Sequence, residues 1–238
     1  MNETAVQRNI TAFWDAVASQ YDTTENANVA APGSVEHTRW VEAVRTLLPE
    51  QAADVLDVGT GTGFLARIAA ELGHRVTAID LSTGMLDASL GRDDEHAITF
   101  AVGDAVDPPY PPGGFDAVMS RSLIWTLREP TTAFGNWYHL LRPGGWVLAL
   151  YGLAPTTSSD DADSDDHELD VFQRHYNRDT QAHLPAMHLA DHDPLFEAAA
   201  AAGFCDVTTT ALEALRGWET SPGSNLPYAL VGYRSADP

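Results

Sequence analysis

Apolar residues recur along the chain in two rhythms. Over residues 8–21, Ile10, Phe13, Trp14, Val17, Ala18 and Tyr21 fall at helical spacing and make one amphipathic stripe. A second helix is expected over 34–48, where Ser34 can cap the start, Val41, Val44, Leu47 and Leu48 share a face, and Pro49 follows the end. The turn-rich segment 23–33 separates them. From Asp54 short apolar runs of strand length alternate with helical stretches: strand 54–58, helix 62–72 closed by Gly73, strand 75–79, helix 83–90, strand 98–102, strand 115–120, helix 131–141 and strand 146–151. After an interruption the pattern resumes with helix 193–202, closed by Gly203, strand 204–210 and a last strand 228–233. Such alternation predicts an α/β fold with a parallel sheet and right-handed crossovers, the last two strands pairing as an antiparallel hairpin.

The interruption, residues 155–194, is a different kind of sequence. It carries ten acids against two arginines, and its run SSDDADSDD (158–166) reads as a solvated loop. The following DVFQRHYNRD (170–179) can form a short helix. The whole reads as one domain, 1–238: an N-terminal helical lid over 1–50, a core over 51–154, an inserted acidic cap over 155–194, and a C-terminal helix and hairpin over 195–238.

Composition narrows the partners. With 238 residues and 44% hydrophobic content the chain can bury one substantial core. Thirteen basic residues, all arginine, face 34 acidic ones, for a net charge of −21. Such a surface repels phosphate backbones and anionic lipid, which argues against nucleic-acid or membrane binding, and it tolerates a cationic ligand. No apolar run reaches the roughly 20 residues that span a bilayer, and no basic start leads into an apolar segment, so a cytoplasmic protein is expected, monomer or homodimer. The single cysteine, Cys205, excludes an internal disulfide and reads as a small buried residue at a strand start. Of the nine histidines, His167, His175, His183, His188 and His192 lie in the cap; Pro185 and Pro194 interrupt any helix that would present the last three together, so no metal site is expected.

Candidate chemistry begins at VLDVGTGTG (55–63), where a strand runs into Gly59, Gly61 and Gly63 and then a helix. Such a turn aims backbone N–H groups and a helix N-terminus at a ligand. Gly61, Gly63 and Ala66 also fit a dinucleotide fingerprint, with Asp80 at ribose distance. Three acids separate the possibilities. Asp57, two residues before Gly59, would repel a pyrophosphate and suit an ammonium. Asp80, ending the next strand, can offer its two oxygens to both ribose hydroxyls. In GDA (103–105), Asp104 can accept from an adenine amino group while the next backbone N–H meets a ring nitrogen. Acids at three successive strand ends fit a ligand with an amino-acid tail, a ribose, an adenine and no phosphate, which is S-adenosyl-L-methionine (SAM).

With these motifs the chain resembles the class I SAM-dependent methyltransferase family. VLDVGTGTG (55–63) is similar to its first motif, AIDLSTGML (78–86) to the ribose-binding one, GDAVDPPYPPGGFDAV (103–118) to the adenine motif and fourth strand, and LRPGGWVL (141–148) to the turn into the fifth. FWDAVASQYD (13–22) resembles the entry helix of the ubiquinone/menaquinone-biosynthesis-like branch, where a Tyr closes over the cofactor. The resemblance implies a Rossmann-like doubly wound seven-stranded sheet of order 3-2-1-4-5-7-6 and methyl transfer to a small-molecule acceptor. It implies that Asp57, Gly59, Thr60, Gly61 and Gly63 hold the methionine end and Asp80 the ribose. Leu81 and Met85 would flank the adenine, and Gly103, Asp104 and Ala105 would meet its edge. Tyr21 would cover the cofactor and Arg121 border its methyl group. Trp14, Trp125 and Tyr151 are candidates for the acceptor site, His175 and Tyr176 for a general base, and Arg39 for the methionine carboxylate or a surface ion pair. The tetrad DPPY (107–110) precedes the fourth strand instead of ending it, unlike the amino-methylating motif of DNA methyltransferases. A nicotinamide-dependent oxidoreductase and a non-catalytic SAM-binding protein remain the alternatives.

Overall fold

The computed structural model describes residues 3–24, 33–90, 98–153, 166–215 and 227–236; the 23–33 turn and the acidic run 158–166 lie outside them apart from their end residues. The helix α1 (Glu3–Thr24) and α2 (Val35–Arg45) precede β1 (Asp54–Val58). The alternating part runs α3 (Phe64–Glu71), β2 (Arg75–Asp80), α4 (Thr83–Leu90), β3 (Ile98–Val102), β4 (Phe115–Arg121), α5 (Pro130–Leu140) and β5 (Leu141–Tyr151). The cap holds α6 (Asp166–His175) and α7 (Arg178–Gln181), and α8 (Asp193–Ala201), β6 (Cys205–Ala211) and β7 (Tyr228–Tyr233) complete the chain.

The strands form one sheet of order β3-β2-β1-β4-β5-β7-β6, parallel through β5, with β7 antiparallel to both neighbours. Side chains on a strand alternate between faces, so each strand feeds two cores. Leu56, Val58, Val118 and Val147 face Phe134 and Trp137 of α5 and Leu195 and Ala198 of α8. Val55, Ala117, Met119 and Leu148 face Val41 and Val44 of α2 and Leu65 and Ile68 of α3. The central strands therefore carry consecutive apolar residues in their interiors, Val55 and Leu56 in β1, Ala117 to Met119 in β4 and Trp146 to Tyr151 in β5, as burial on both faces requires. At the strand starts, Arg142 bonds Asp54 (3.0 Å) and Asp116 (2.7 Å), and Arg75 bonds Asp54 (2.6 Å), a half-exposed network that leaves the opposite edge for other work.

Several boundaries differ from the periodicity for local reasons. The helix expected from 62 begins at Phe64, because Gly63 is left-handed (φ +83°). The strand expected over 146–151 starts at Leu141, since a bulge between Phe115 and Ala117 lets the whole LRPGG turn join the sheet. A Cβ on Gly145 would lie 2.7 Å from the Asp116 carbonyl oxygen, so only glycine passes there. The helix expected over 170–179 breaks after His175, and Asn177 caps α7 by accepting from the Asp179 and Thr180 N–H groups. Cys205, expected to be buried, is exposed, because β6 is an edge strand.

A third apolar cluster ties the N-terminal helix to the cap. Val6, Ile10 and Phe13 of α1 pack on Tyr176 and Leu184 of the cap, with Phe172 stacked on Tyr176 at 4.8 Å. Asn9 donates to Thr180 (2.9 Å) across this contact. Among the described residues no helix is long and apolar enough to cross a membrane.

Trp137 is fully buried and its Nε1–H donates to the Ala105 carbonyl (2.7 Å). Trp137→Phe should cost about 1–2 kcal/mol by stranding that carbonyl, and Trp137→Ala about 3–5 kcal/mol by leaving a cavity. Denaturant melts of the two variants check the order.

Candidate active site

Strand alternation puts Asp57 on the face of Val55, toward α2 and α3. The chain then turns through Gly59 and Gly61, both left-handed, and a Cβ on Gly59 would come within 2.5 Å of Leu123 Cδ1. Asp57 is thus left 1% exposed beneath the turn. Its Oδ2 accepts from Thr60 Oγ1 (2.6 Å), while Oδ1 is buried with no hydrogen-bond partner among the described residues. Burial pushes its pKa up to about 7, against the opposing pull of the Thr60 hydrogen bond and the Arg121 charge.

Asp80 does more than face outward from β2. Its Oδ2 accepts from the Gly61 N–H and its Oδ1 from the Ser82 N–H, both at 2.8 Å, pinning the glycine turn to the neighbouring strand. Each oxygen keeps one further lone pair, enough to accept one more hydrogen bond apiece. Burial raises its pKa as well. Asp104 Oδ1 accepts from the Val106 N–H (2.8 Å), and its Oδ2 pairs with Arg128 Nη2 (3.1 Å). Arg128 Nε is itself buried without a hydrogen-bond partner among the described residues.

One carboxylate of α1 secures the cover. Asp15 Oδ1 accepts from Ser82 Oγ (2.6 Å) and from the Gly84 N–H (3.0 Å), which clamps α1 onto the start of α4. With that register set, α1 turns Gln7, Thr11, Trp14 and Tyr21 toward the sheet edge. Beneath them lies a hollow of about 740 Å³, open to solvent, reaching from Arg121 at the end of β4 to Asp104 and Arg128. A smaller hollow of about 320 Å³ adjoins it under the glycine turn and is lined by Asp57 and Thr60. The two share Tyr21, Gly59, Gly61 and Arg121.

Most residues singled out from the sequence converge here. Leu81, Met85, Gly103 and Ala105 line the larger hollow with Trp14 and the two acids Asp80 and Asp104. Gly63 lines neither; it sets the start of α3. Trp125 packs on Trp14 (6.0 Å) and Tyr176 (5.1 Å) behind the lining. Tyr151 shares a 2.6 Å hydrogen bond with His192 Nδ1 away from both hollows. His175 and Arg39 line neither hollow. Tyr176 is fully buried, its Oη 2.5 Å from Thr126 Oγ1, and burial raises its pKa further; this geometry places it in the cap contact and does not offer it as a base. Arg128, Gln7 and Thr11 went unnoticed in the sequence. The last two sit on the Trp14 face of the α1 stripe and were legible by spacing; nothing local marks Arg128.

Residues 56–149 match a family model described as a methyltransferase domain. Over 151 residues the chain is 34% identical to the demethylmenaquinone methyltransferase of Renibacterium salmoninarum, an overlap of 62% of this chain and 60% of that protein. Over 94 residues it is 36% identical to the malonyl-acyl-carrier-protein O-methyltransferase of Serratia marcescens, covering 40% of this chain and 36% of that protein. The chain therefore spans less than two thirds of the length of these curated relatives. Among solved structures it is similar to phosphoethanolamine N-methyltransferase 2 of Haemonchus contortus in complex with S-adenosyl-L-methionine, with a TM-score of 0.64 and 20% identity over 93% of this chain and 57% of that one. That likeness is one of fold.

Asp57 has a folded-state pKa of about 7, above its ordinary 3.8. Between those values the folded chain holds a proton that the unfolded chain has lost, so this group's contribution to stability declines as pH rises from about 4 to 7. Asp57→Asn should accordingly stabilise the ligand-free protein at pH 8, by about 1–3 kcal/mol, with the gain shrinking toward pH 4. Thermal melts across that range read the difference.

Proposed function

We propose that this chain, which matches a methyltransferase-domain family model over residues 56–149, binds S-adenosyl-L-methionine along the sheet edge and transfers its methyl group to a small molecule. One observation carries the reading. Asp57, Asp80 and Asp104, from three successive strand ends, border two adjoining hollows, and Asp57 keeps a buried oxygen with no geometric hydrogen-bond partner among the described residues. A pyrophosphate brought against that oxygen meets repulsion, which argues against a nicotinamide dinucleotide. An ammonium meets an acceptor that the fold has left open.

The residues fit the parts of SAM in order. Asp57 and the glycine turn take the amino-acid end, Asp80 the ribose, and Leu81 and Met85 the faces of the adenine, with Asp104 and Ala105 at its edge. Bound there, the cofactor supplies a methyl group on a sulfonium that already leaves readily. The protein's task is then to orient and to exclude water, and α1 does both by lying over the crevice on its Asp15 clamp. No histidine or cysteine lines either hollow among the described residues. Positioning and desolvation, not proton transfer by a side chain, supply the acceleration in this reading. Trp14 and Tyr21, with Trp125 behind them, make the acceptor side aromatic. The net charge of −21 disfavours a nucleic-acid acceptor. We place the protein in the cytoplasm as a single domain in which 155–194 caps the acceptor side.

Titration calorimetry with SAM and with S-adenosylhomocysteine tests the reading: both should bind saturably, and NAD should not. Binding the ammonium requires Asp57 ionised, so affinity should weaken as pH falls below about 7, toward tenfold per pH unit, and Asp57→Asn should lose both the affinity and its pH dependence. No binding of either ligand, or binding unaffected by Asp57→Asn, would sink it.

A further inference from the structure

An arginine carries five N–H donors, and among the described residues the side chain of Arg128 commits one of them. Its Nη2 pairs with Asp104 Oδ2 at 3.1 Å, and the side chain is only 11% exposed. Nε is buried with no hydrogen-bond partner among the described residues, and Arg128 lines the larger hollow. A cation so far out of water, with most of its donors uncommitted, calls for an acceptor from a ligand. That acceptor need not be an anion. Asp104 already balances the charge, so the pair together is neutral and polar.

The pair stands on one rigid support. Trp137 Nε1 donates to the Ala105 carbonyl and Asn136 Nδ2 to the Val106 carbonyl, both at 2.7 Å, so α5 fastens the segment after β3. Arg128 directly precedes Glu129, the cap residue of α5, so the same helix carries the cation. Asp104 is oriented in turn. Its Oδ1 accepts from the Val106 N–H at 2.8 Å, while its Oδ2 faces Arg128. Oδ1 therefore lies toward 105–106 and Oδ2 away from them. Along this wall the order is the Ala105 N–H, the Asp104 carboxylate and the Arg128 guanidinium: donor, acceptor, donor.

Few rings answer that order. An adenine presents N1 as an acceptor, its 6-amino group as a donor and N7 as an acceptor, side by side. A 6-oxo purine puts an acceptor in the middle, against the carboxylate. The acid alone asks only for an amino group. With the arginine beside it, the wall also asks for an acceptor next to that amino group.

We propose that Arg128 is a specificity-determining residue that donates to N7 of the cofactor's adenine, beside the amino group taken by Asp104. This rests on the SAM reading and deepens it, since that reading gives the edge of the base only Asp104 and Ala105. Arg128 binds and selects; it takes no part in bond making. It also steadies Asp104, and loss of that support weakens every adenosyl ligand alike. A ratio between two ligands that differ only at N7 therefore isolates the contact.

The two ligands are S-adenosylhomocysteine and its 7-deaza analogue S-tubercidinylhomocysteine, in which a C–H replaces N7 while N1 and the amino group are kept. Titration calorimetry on the wild-type protein should show a preference for S-adenosylhomocysteine of about 10–100-fold, the range of a hydrogen bond from a charged donor. Arg128→Met should bring the ratio near one. Arg128→Gln, which keeps a neutral donor, should give a ratio between those two. A wild-type ratio near one overturns the proposal, and so does an Arg128→Met variant that keeps the wild-type ratio, since the N7 contact then lies elsewhere. Should Arg128→Met not fold, Arg128→Gln decides: a ratio equal to that of the wild type overturns the proposal, and a lower one supports it. If the wild type binds neither ligand, the SAM reading fails as well; if it binds both without preference, only this inference falls.

Discussion

A carboxylate taken out of water with one oxygen unpartnered costs free energy, and the arrangement of this molecule depends on keeping Asp57 in that condition. The parallel pairing of β1 with β2 and β4 brings three strand ends to one edge. The period of two puts Asp57 on the covered face, and the left-handed turn after it closes over the side chain. Thr60 satisfies one oxygen, and no described residue hydrogen-bonds the other. Sites that bind charge commonly store such a penalty, because a fully satisfied acid has little left to give a ligand. Here the burial that raises the Asp57 pKa toward neutrality also makes its ionised form a strong acceptor for a cation.

The rest of the edge holds this group in place. Asp80 uses one lone pair of each oxygen to fix the turn and the start of α4, and Asp15 reaches from α1 to that same start. The cover and the cradle are therefore coupled through Ser82, which donates to one acid by its backbone and to the other by its hydroxyl. The N-terminal half of α1, from Val6 to Phe13, is held by the apolar cluster around Tyr176 and Leu184. A helix anchored at one point by hydrogen bonds and along its other face by apolar packing can seal a crevice without a covalent hinge. The apolar anchoring comes partly from the cap, which is tied to the lining of the larger hollow through Tyr176 and Thr126.

The charge distribution supports the same division. The strand starts carry paired arginines and aspartates that are half exposed, where ion pairs contribute little beyond solubility. The strand ends carry the buried and incompletely paired groups. Among the methyltransferases to which the chain is similar, acceptors range from a quinone precursor to a phosphoethanolamine, as their names state.

The element order, the faces of the central strands and three of the acids that meet in the crevice were legible in the sequence, because each rests on local rules. Apolar alternation marks strands, glycines mark the turn, and an acid two residues before a glycine turn sits at a strand end. Bond partners are not local. That Asp80 spends a lone pair of each oxygen on backbone amides, that Arg128 crosses to Asp104, and that Tyr176 is sealed against Thr126 instead of facing a ligand all depend on which segments the crossovers bring together. The same holds for Arg121. Its spacing identifies a residue at the end of β4, but only the tertiary packing sets its guanidinium over Phe64 and Trp40 with no salt bridge among the described residues. Patterns along a chain determine where side chains are carried, since backbone periodicity is set within a few residues. Whether a carried charge is paired depends on distances between residues far apart in sequence, and those exist only once the sheet is built.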